Sequence, residues 1–181
     1  MKKFELTAES KINIFGKKLF RIKALISFGD VEEGETGGWI EKEENLEQSY
    51  GDAWVYGDAE VYGNARVYGD AWVYGDARVS GNAEVYGDAE VYGNARVSGN
   101  AEVYGNADYT TIHGFGTQFR TTTFFQCEDK QIRVSCGCFL GTIPEFREQV
   151  KNTREGKIAE EYLMIADLME KHFVKEKESG E

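Results

Sequence analysis

Carboxylates aside, the side chains here that most readily serve as a base, nucleophile or metal ligand near neutral pH are His113, His172, Cys127, Cys136 and Cys138. A histidine general base must lie within hydrogen-bond reach of the proton it removes. His113 sits in Thr111-Ile112-His113-Gly114-Phe115-Gly116, and its Gly-x-Gly is too short to signal a phosphate loop. His172 falls on the last turn of an expected helix, where an imidazolium meets the dipole favourably. The spacing Cys-x8-Cys-x-Cys lacks the Cys-x-x-Cys pairing of zinc sites. Cys136 and Cys138 alternate with Ile132 and Val134 on one strand face, with Phe125 and Cys127 opposite. All three thiols are therefore expected in a core, and two on one face suit no disulfide. An odd cysteine count without a leader-like segment fits a reducing cytoplasm. The sequence calls for no metal and no cofactor.

What positions these residues is a repeat. From Tyr50 to Asp108 the phrase Tyr/Ser-Gly-Asp/Asn-Ala-X-Val recurs ten times without insertion. Ala occupies 53, 59, 65 and onward to 107; Val follows from 55 to 103, and Tyr109 takes the last place. Ala-X-Val-Tyr alternates as a short strand does. Gly-Asp/Asn makes a corner, because Gly accepts positive φ and Asx bonds its own backbone. Three such sides close an 18-residue coil with Ala and Val inside, each coil pairing with the next at about 4.8 Å. The fold expected is mainly β.

Val55-Tyr-Gly-Asp-Ala-Glu60 and its copies resemble the hexapeptide-repeat family of left-handed parallel β-helices, and the left hand is implied by that resemblance alone. Gly38-Trp39-Ile40 and Glu44-Asn45-Leu46 read as an imperfect first coil of two short strands, set off by a three-residue bulge at Glu47-Gln48-Ser49. Gly37-Gly38-Trp39-Ile40-Glu41, Asn45-Leu46 and Gly51-Asp52-Ala53-Trp54-Val55 are similar to an uncharacterised subgroup from phages, prophages and gut-type bacteria. The likeness extends through Cys138-Phe139, Gly141-Thr142 and Glu145-Phe146, and it brings no established activity.

Residues one coil apart should stack in outward columns. The first is Trp54, Trp72, Glu90, Asp108 beside Tyr56, Tyr74, Tyr92. The second is Glu60, Arg78, Arg96 beside Tyr62, Ser80, Ser98, and the third Arg66, Glu84, Glu102 beside Tyr68, Tyr86, Tyr104. The charged columns read as solvated pairs worth little. Five aromatics on one flat side exceed ordinary surface scatter. Trp54, Tyr56, Trp72, Tyr74 and Tyr92 are the expected interaction face, covered by another subunit or by the C-terminal segment; a sugar- or base-stacking site is the alternative.

Residues 1–28 alternate as an N-terminal β-hairpin that caps the first coil, with its turn at Phe15-Gly16-Lys17-Lys18. A second, C-terminal β-hairpin joins Thr121–Cys127 to Gln131–Cys136 around Glu128-Asp129-Lys130. Thr142-Ile143-Pro144-Glu145 is a capping box that starts the first of two C-terminal helices. In the second, Tyr162, Ile165, Met169 and Phe173 form an apolar stripe that needs a partner: the solenoid end, the aromatic side or another copy. The organisation expected is a β cap over 1–37, the β-helix over 38–109, a hairpin cap over 110–141, helices over 142–174 and a disordered tail over 175–181.

The net charge of −11 argues against general nucleic-acid binding, and no run of about 18 apolar residues exists to span a membrane. The reading is a non-enzymatic binding and assembly protein of the cytoplasm, a homo-oligomer (dimer or trimer). Its partner would be a host protein or a nucleotide-like small molecule, as for a phage inhibitor of a host defence system. The alternative, implied by the resemblance, is an acyl-CoA-dependent acyltransferase with His113 as base. Against it, the repeats hold no histidine and throw out no loop.

Overall fold

A computed structural model describes residues 2–174, so the tail from 175 onward, expected to be disordered, lies outside it. The repeats form a parallel β-solenoid. Each hexapeptide supplies one two-residue strand: β4 Trp54–Val55, β5 Glu60–Val61, β6 Arg66–Val67, β7 Trp72–Val73, β8 Arg78–Val79, β9 Glu84–Val85, β10 Glu90–Val91, β11 Arg96–Val97 and β12 Glu102–Val103. They stack into three sides, β4-β7-β10, β5-β8-β11 and β6-β9-β12. Trp54 pairs with Trp72, Glu60 with Arg78 and Arg66 with Glu84, which is the column arrangement expected from the period. The alanines and valines inside are fully buried, each valine stacked on the valine of the coil below.

The corners explain the invariant glycine of the phrase. Gly81 has φ +71°, and a Cβ there would meet the Gly99 backbone nitrogen at 2.8 Å. A side chain would strain the backbone and push neighbouring coils apart.

Ahead of the regular coils, β3 Thr36–Ile40 pairs parallel with β5, Trp39 opposite Glu60, and Leu46 bridges to Val67. Both offsets are one coil plus three residues, so the bulge lies where the spacing placed it. Of Glu44-Asn45-Leu46, expected as strand, the first two fall in a 3-10 turn over Glu43–Asn45. Asn45 Oδ1 accepts from the Lys42 amide within it.

The N-terminal hairpin, β1 Phe4–Ile12 and β2 Lys18–Ala24, adds antiparallel strands to β3 and extends the second side into one six-stranded sheet. Three of its neighbourhood's side chains complete the first coil. In later coils the corner carbonyls of Gly69, Ala71, Gly75, Gly81 and Ala83 accept from backbone amides of the preceding coil. The first coil has no such predecessor at its corners. Lys3 Nζ donates to Gly51 and Ala53, Arg21 Nη1 to Gly57, and Asn45 Nδ2 to Gly63 and Ala65. Each of the three corners thus gains a side-chain donor where a buried carbonyl would otherwise lack one.

The far end is finished with acceptors. Thr123 Oγ1 takes the Arg96 amide, Asn106 Oδ1 the Glu90 amide, and the Asp108 carboxylate the amides of Tyr104 and Gly105. Beyond lies a four-stranded antiparallel sheet: β13 Tyr109–Phe115, β14 Arg120–Gln126, β15 Ile132–Cys136 and β16 Phe139–Thr142. The expected hairpin is its centre, and β13 and β16 are the strands the alternation did not reveal. Helices α1 Ile143–Thr153 and α2 Gly156–His172 pack on this sheet, the first opened by the Thr142–Glu145 capping box.

Candidate functional site

Of the two expected surfaces, the aromatic side is interior at Trp54 alone and the helix stripe is interior along most of its length. Trp54 has no solvent exposure. Its ring meets Phe28 edge-on at 5.5 Å and Phe4 at 6.2 Å, so the N-terminal segment covers it rather than a second subunit or the C-terminal segment. Trp72 below is half-buried against the same core. Of the aromatic side, Tyr56 and Tyr92 remain exposed. Tyr74 and Tyr92 stack at 5.4 Å and Tyr109 closes on Tyr92 edge-on. Burial, with the hydrogen bond to Glu90, pushes the Tyr74 hydroxyl up to about 12. A flat ligand ring needs a free face to stack on; Tyr92 is flanked by Tyr74 and Tyr109, and Tyr56 stands exposed.

The α2 stripe is likewise satisfied within the chain. Tyr162, Ile165 and Met169 are buried, and Phe173 is partly so, against α1 and the C-terminal sheet. Tyr162 also donates its hydroxyl to the Phe115 carbonyl. The apolar residues of α2 left outside are Met164 and Leu168.

The charged columns also depart from expectation at one point. Glu60 is 5% exposed, held by Lys11 Nζ at 2.9 Å, Asn13 Nδ2 at 3.3 Å and Arg78 Nε at 3.6 Å. It is a buried clasp between hairpin and solenoid, not a solvated pair.

Above that clasp opens a groove of about 700 Å³ along the second side of the solenoid. Its floor is Asp76, Arg78, Asn94 and Arg96. One lip is the turn of the first hairpin, Ile14 and Phe15; the other is the β13–β14 turn with Phe119 and Arg120, together with His113 and Thr121. Arg78 is matched by Glu60, but among the described residues neither Arg96 nor Arg120 has a carboxylate partner. Arg96 Nη1 reaches only the Gly137 carbonyl, at 3.3 Å. The lining sets three arginines against one aspartate, Asp76, in a chain of net charge −11.

Phe15 and Phe119 are 59% and 65% exposed. Phe119 also has φ 47°, a left-handed conformation that is unusual for a bulky side chain. His113 is exposed, with Nδ1 3.2 Å from Thr121 Oγ1, and it shares the groove with the arginines. His172 stands on the last turn of α2 with its ring against Phe173.

The cysteines split by depth. Cys127 is buried and its thiol is pushed up to about 11 by burial; Cys136 is half-buried, its Sγ accepting from Thr122. Cys138 is exposed, contrary to the core expectation. Gly137 turns the chain at φ 64° between β15 and β16 and ends the alternation.

Among the described residues no group of three or more His, Cys, Asp or Glu could hold a metal ion, and no helix is long and apolar enough to cross a membrane. Three overlapping or adjacent stretches, 59–75, 71–87 and 89–105, match the family described as the YdcK beta solenoid repeat. Among curated proteins none matches the chain. The chain is thus a repeat β-helix protein by sequence match and by architecture.

Proposed function

We propose that this is a non-enzymatic binding protein that holds an anionic small molecule in the groove between its two hairpins. The observation that carries the reading is that Arg96 and Arg120 both line one cleft without ion-pair partners among the described residues, Arg120 also lining the cavity beside Arg154 and Tyr162. Two arginines without ion-pair partners are suited to bidentate capture of phosphate or carboxylate. The resemblance to a phage and prophage subgroup favours a role in which such capture withdraws a signal molecule from a host defence system, and a host protein is the other partner class. A homo-oligomer, dimer or trimer, would use the exposed edges of Tyr56 and Tyr92; light scattering showing a monomer would remove that part.

Calorimetric titration with pyrophosphate tests the anion site. Binding that weakens with salt and is lost in Arg96→Ala/Arg120→Ala supports it; equal behaviour of variant and parent sinks it. The acyltransferase reading rests on His113 lining the same groove. Acyl transfer from an acyl-CoA that His113→Ala abolishes would replace binding with catalysis.

A further inference from the structure

We infer that the groove takes a nucleoside phosphate, its base against the exposed phenyl ring of Phe119, with Phe15 on the facing lip, and its phosphates on Arg96 and Arg120. This rests on the anion-site reading and adds the ring. Large apolar side chains at hairpin turns are ordinarily replaced by polar turn formers, yet both turns bordering the groove expose a phenylalanine. Phe15 is steadied by Tyr62, ring centres 6.0 Å apart and tilted by 32°, and keeps 59% of its surface free.

Phe119 holds its ring out from a backbone with φ 47°. Glycine would occupy that conformation without strain, so folding alone gives no reason for phenylalanine there. Strain retained at a cleft is a marker of binding. Aromatic faces beside unpaired guanidiniums are the combination that grips a base and its phosphates together. A groove of about 700 Å³ is within the range for a ligand of this size. The acidity of the chain as a whole, −11, disfavours a long polyanion, which would run past the groove onto repulsive surface. The ligand assigned is therefore a free nucleotide.

The test is calorimetric titration of the full chain with ADP, with pyrophosphate and with a single-stranded hexanucleotide, for the parent, Phe119→Gly and Phe15→Ala. ADP is expected to bind about tenfold tighter than pyrophosphate, the scale of one base–aromatic stack. Phe119→Gly should melt at the same or a higher temperature than the parent while losing that advantage and keeping pyrophosphate affinity. Phe15→Ala, with its fold checked by the same melt, should lose part of it. Equal binding of ADP and pyrophosphate by the parent, or an ADP advantage untouched in both variants, would overturn the nucleotide assignment and leave the anion site standing. Failure of both ligands to bind would remove the two together. A hexanucleotide that binds more tightly than ADP would overturn the free-nucleotide assignment.

Discussion

Lys3 Nζ lies 3.1 Å from the Gly51 carbonyl oxygen and 3.2 Å from that of Ala53; one coil on, the Gly69 and Ala71 carbonyls accept instead from the Ala53 and Trp54 amides. The ammonium is buried beneath the Phe28 ring, 4.5 Å from its centre. Burial lowers its pKa below the usual lysine value, against the opposing pull of Asp52, Glu47 and Asp70. A single side chain thus replaces a strand's worth of donors at one corner. Lys3→Met should keep the stem's packing and leave both carbonyls unmatched, at a cost of about 1–3 kcal/mol. Lys2→Met, which removes an exposed pair with Glu43, should cost less than about 1 kcal/mol. Equal urea midpoints for the two variants would refute the corner role.

The corners differ in how much room they leave. Gly81→Ala must adopt φ +71° and also meet the Gly99 nitrogen at 2.8 Å, whereas Gly93→Ala has φ +64° with nothing within 4 Å. Gly93→Ala should cost about 1–2 kcal/mol from the backbone alone. Gly81→Ala should cost clearly more, because two coils must separate. Thermal melts of the pair report the order directly.

Acid should weaken the contacts that hold the N-terminal cap. Burial pushes the Glu41 carboxyl up, but the Gly63 amide and Lys17 outweigh it, and its pKa lies below the ordinary 4.5. Glu47, likewise raised by burial, is pulled below 4.5 by Ser49 and neighbouring amides. A carboxyl whose pKa is depressed in the folded state contributes stability above its unfolded pKa. That contribution is lost as pH falls through the folded value. Stability should therefore drop below about pH 4.5 and drop less in Glu41→Gln. Urea midpoints across that range, identical in slope for parent and variant, would exclude Glu41 as a contributor.

Thiol labelling should be stepwise. Cys138 is exposed, whereas Cys127 is buried with its thiol pushed up to about 11, and the thiolate is the reacting form. At neutral pH an aromatic disulfide reagent should modify Cys138 rapidly and Cys127 only on unfolding. Cys138→Ser should abolish the fast phase; a fast phase that survives would place the reactive thiol elsewhere.

The repeat made the solenoid readable, down to the bulge that offsets Trp39 from Glu60 and Leu46 from Val67. Outwardness was less readable. Alternation puts Trp54 on the outside, and so it is relative to the coil. The hairpin folds over it, and Gly37 makes the space, since a Cβ there would meet the Trp54 ring at 2.6 Å. The glycine pair Gly37-Gly38, ahead of the regular repeats, was the available sign. The groove was hidden for another reason: Phe15, Arg96 and Phe119 are far apart in sequence and belong to three different elements. Nothing in the order of residues announces φ 47° at Phe119. Cys138 was misplaced because one turn residue, Gly137, ends the strand.

The two lips of the groove belong to opposite ends of the solenoid, and only stacked coils separate them. Repeat number is therefore a ruler. Inserting one further 18-residue unit, such as a second copy of 74–91, would preserve every column and both caps and move the lips apart by about 4.8 Å. A fold built by counting can alter what it embraces by adding or dropping a coil, without changing a residue that makes contact.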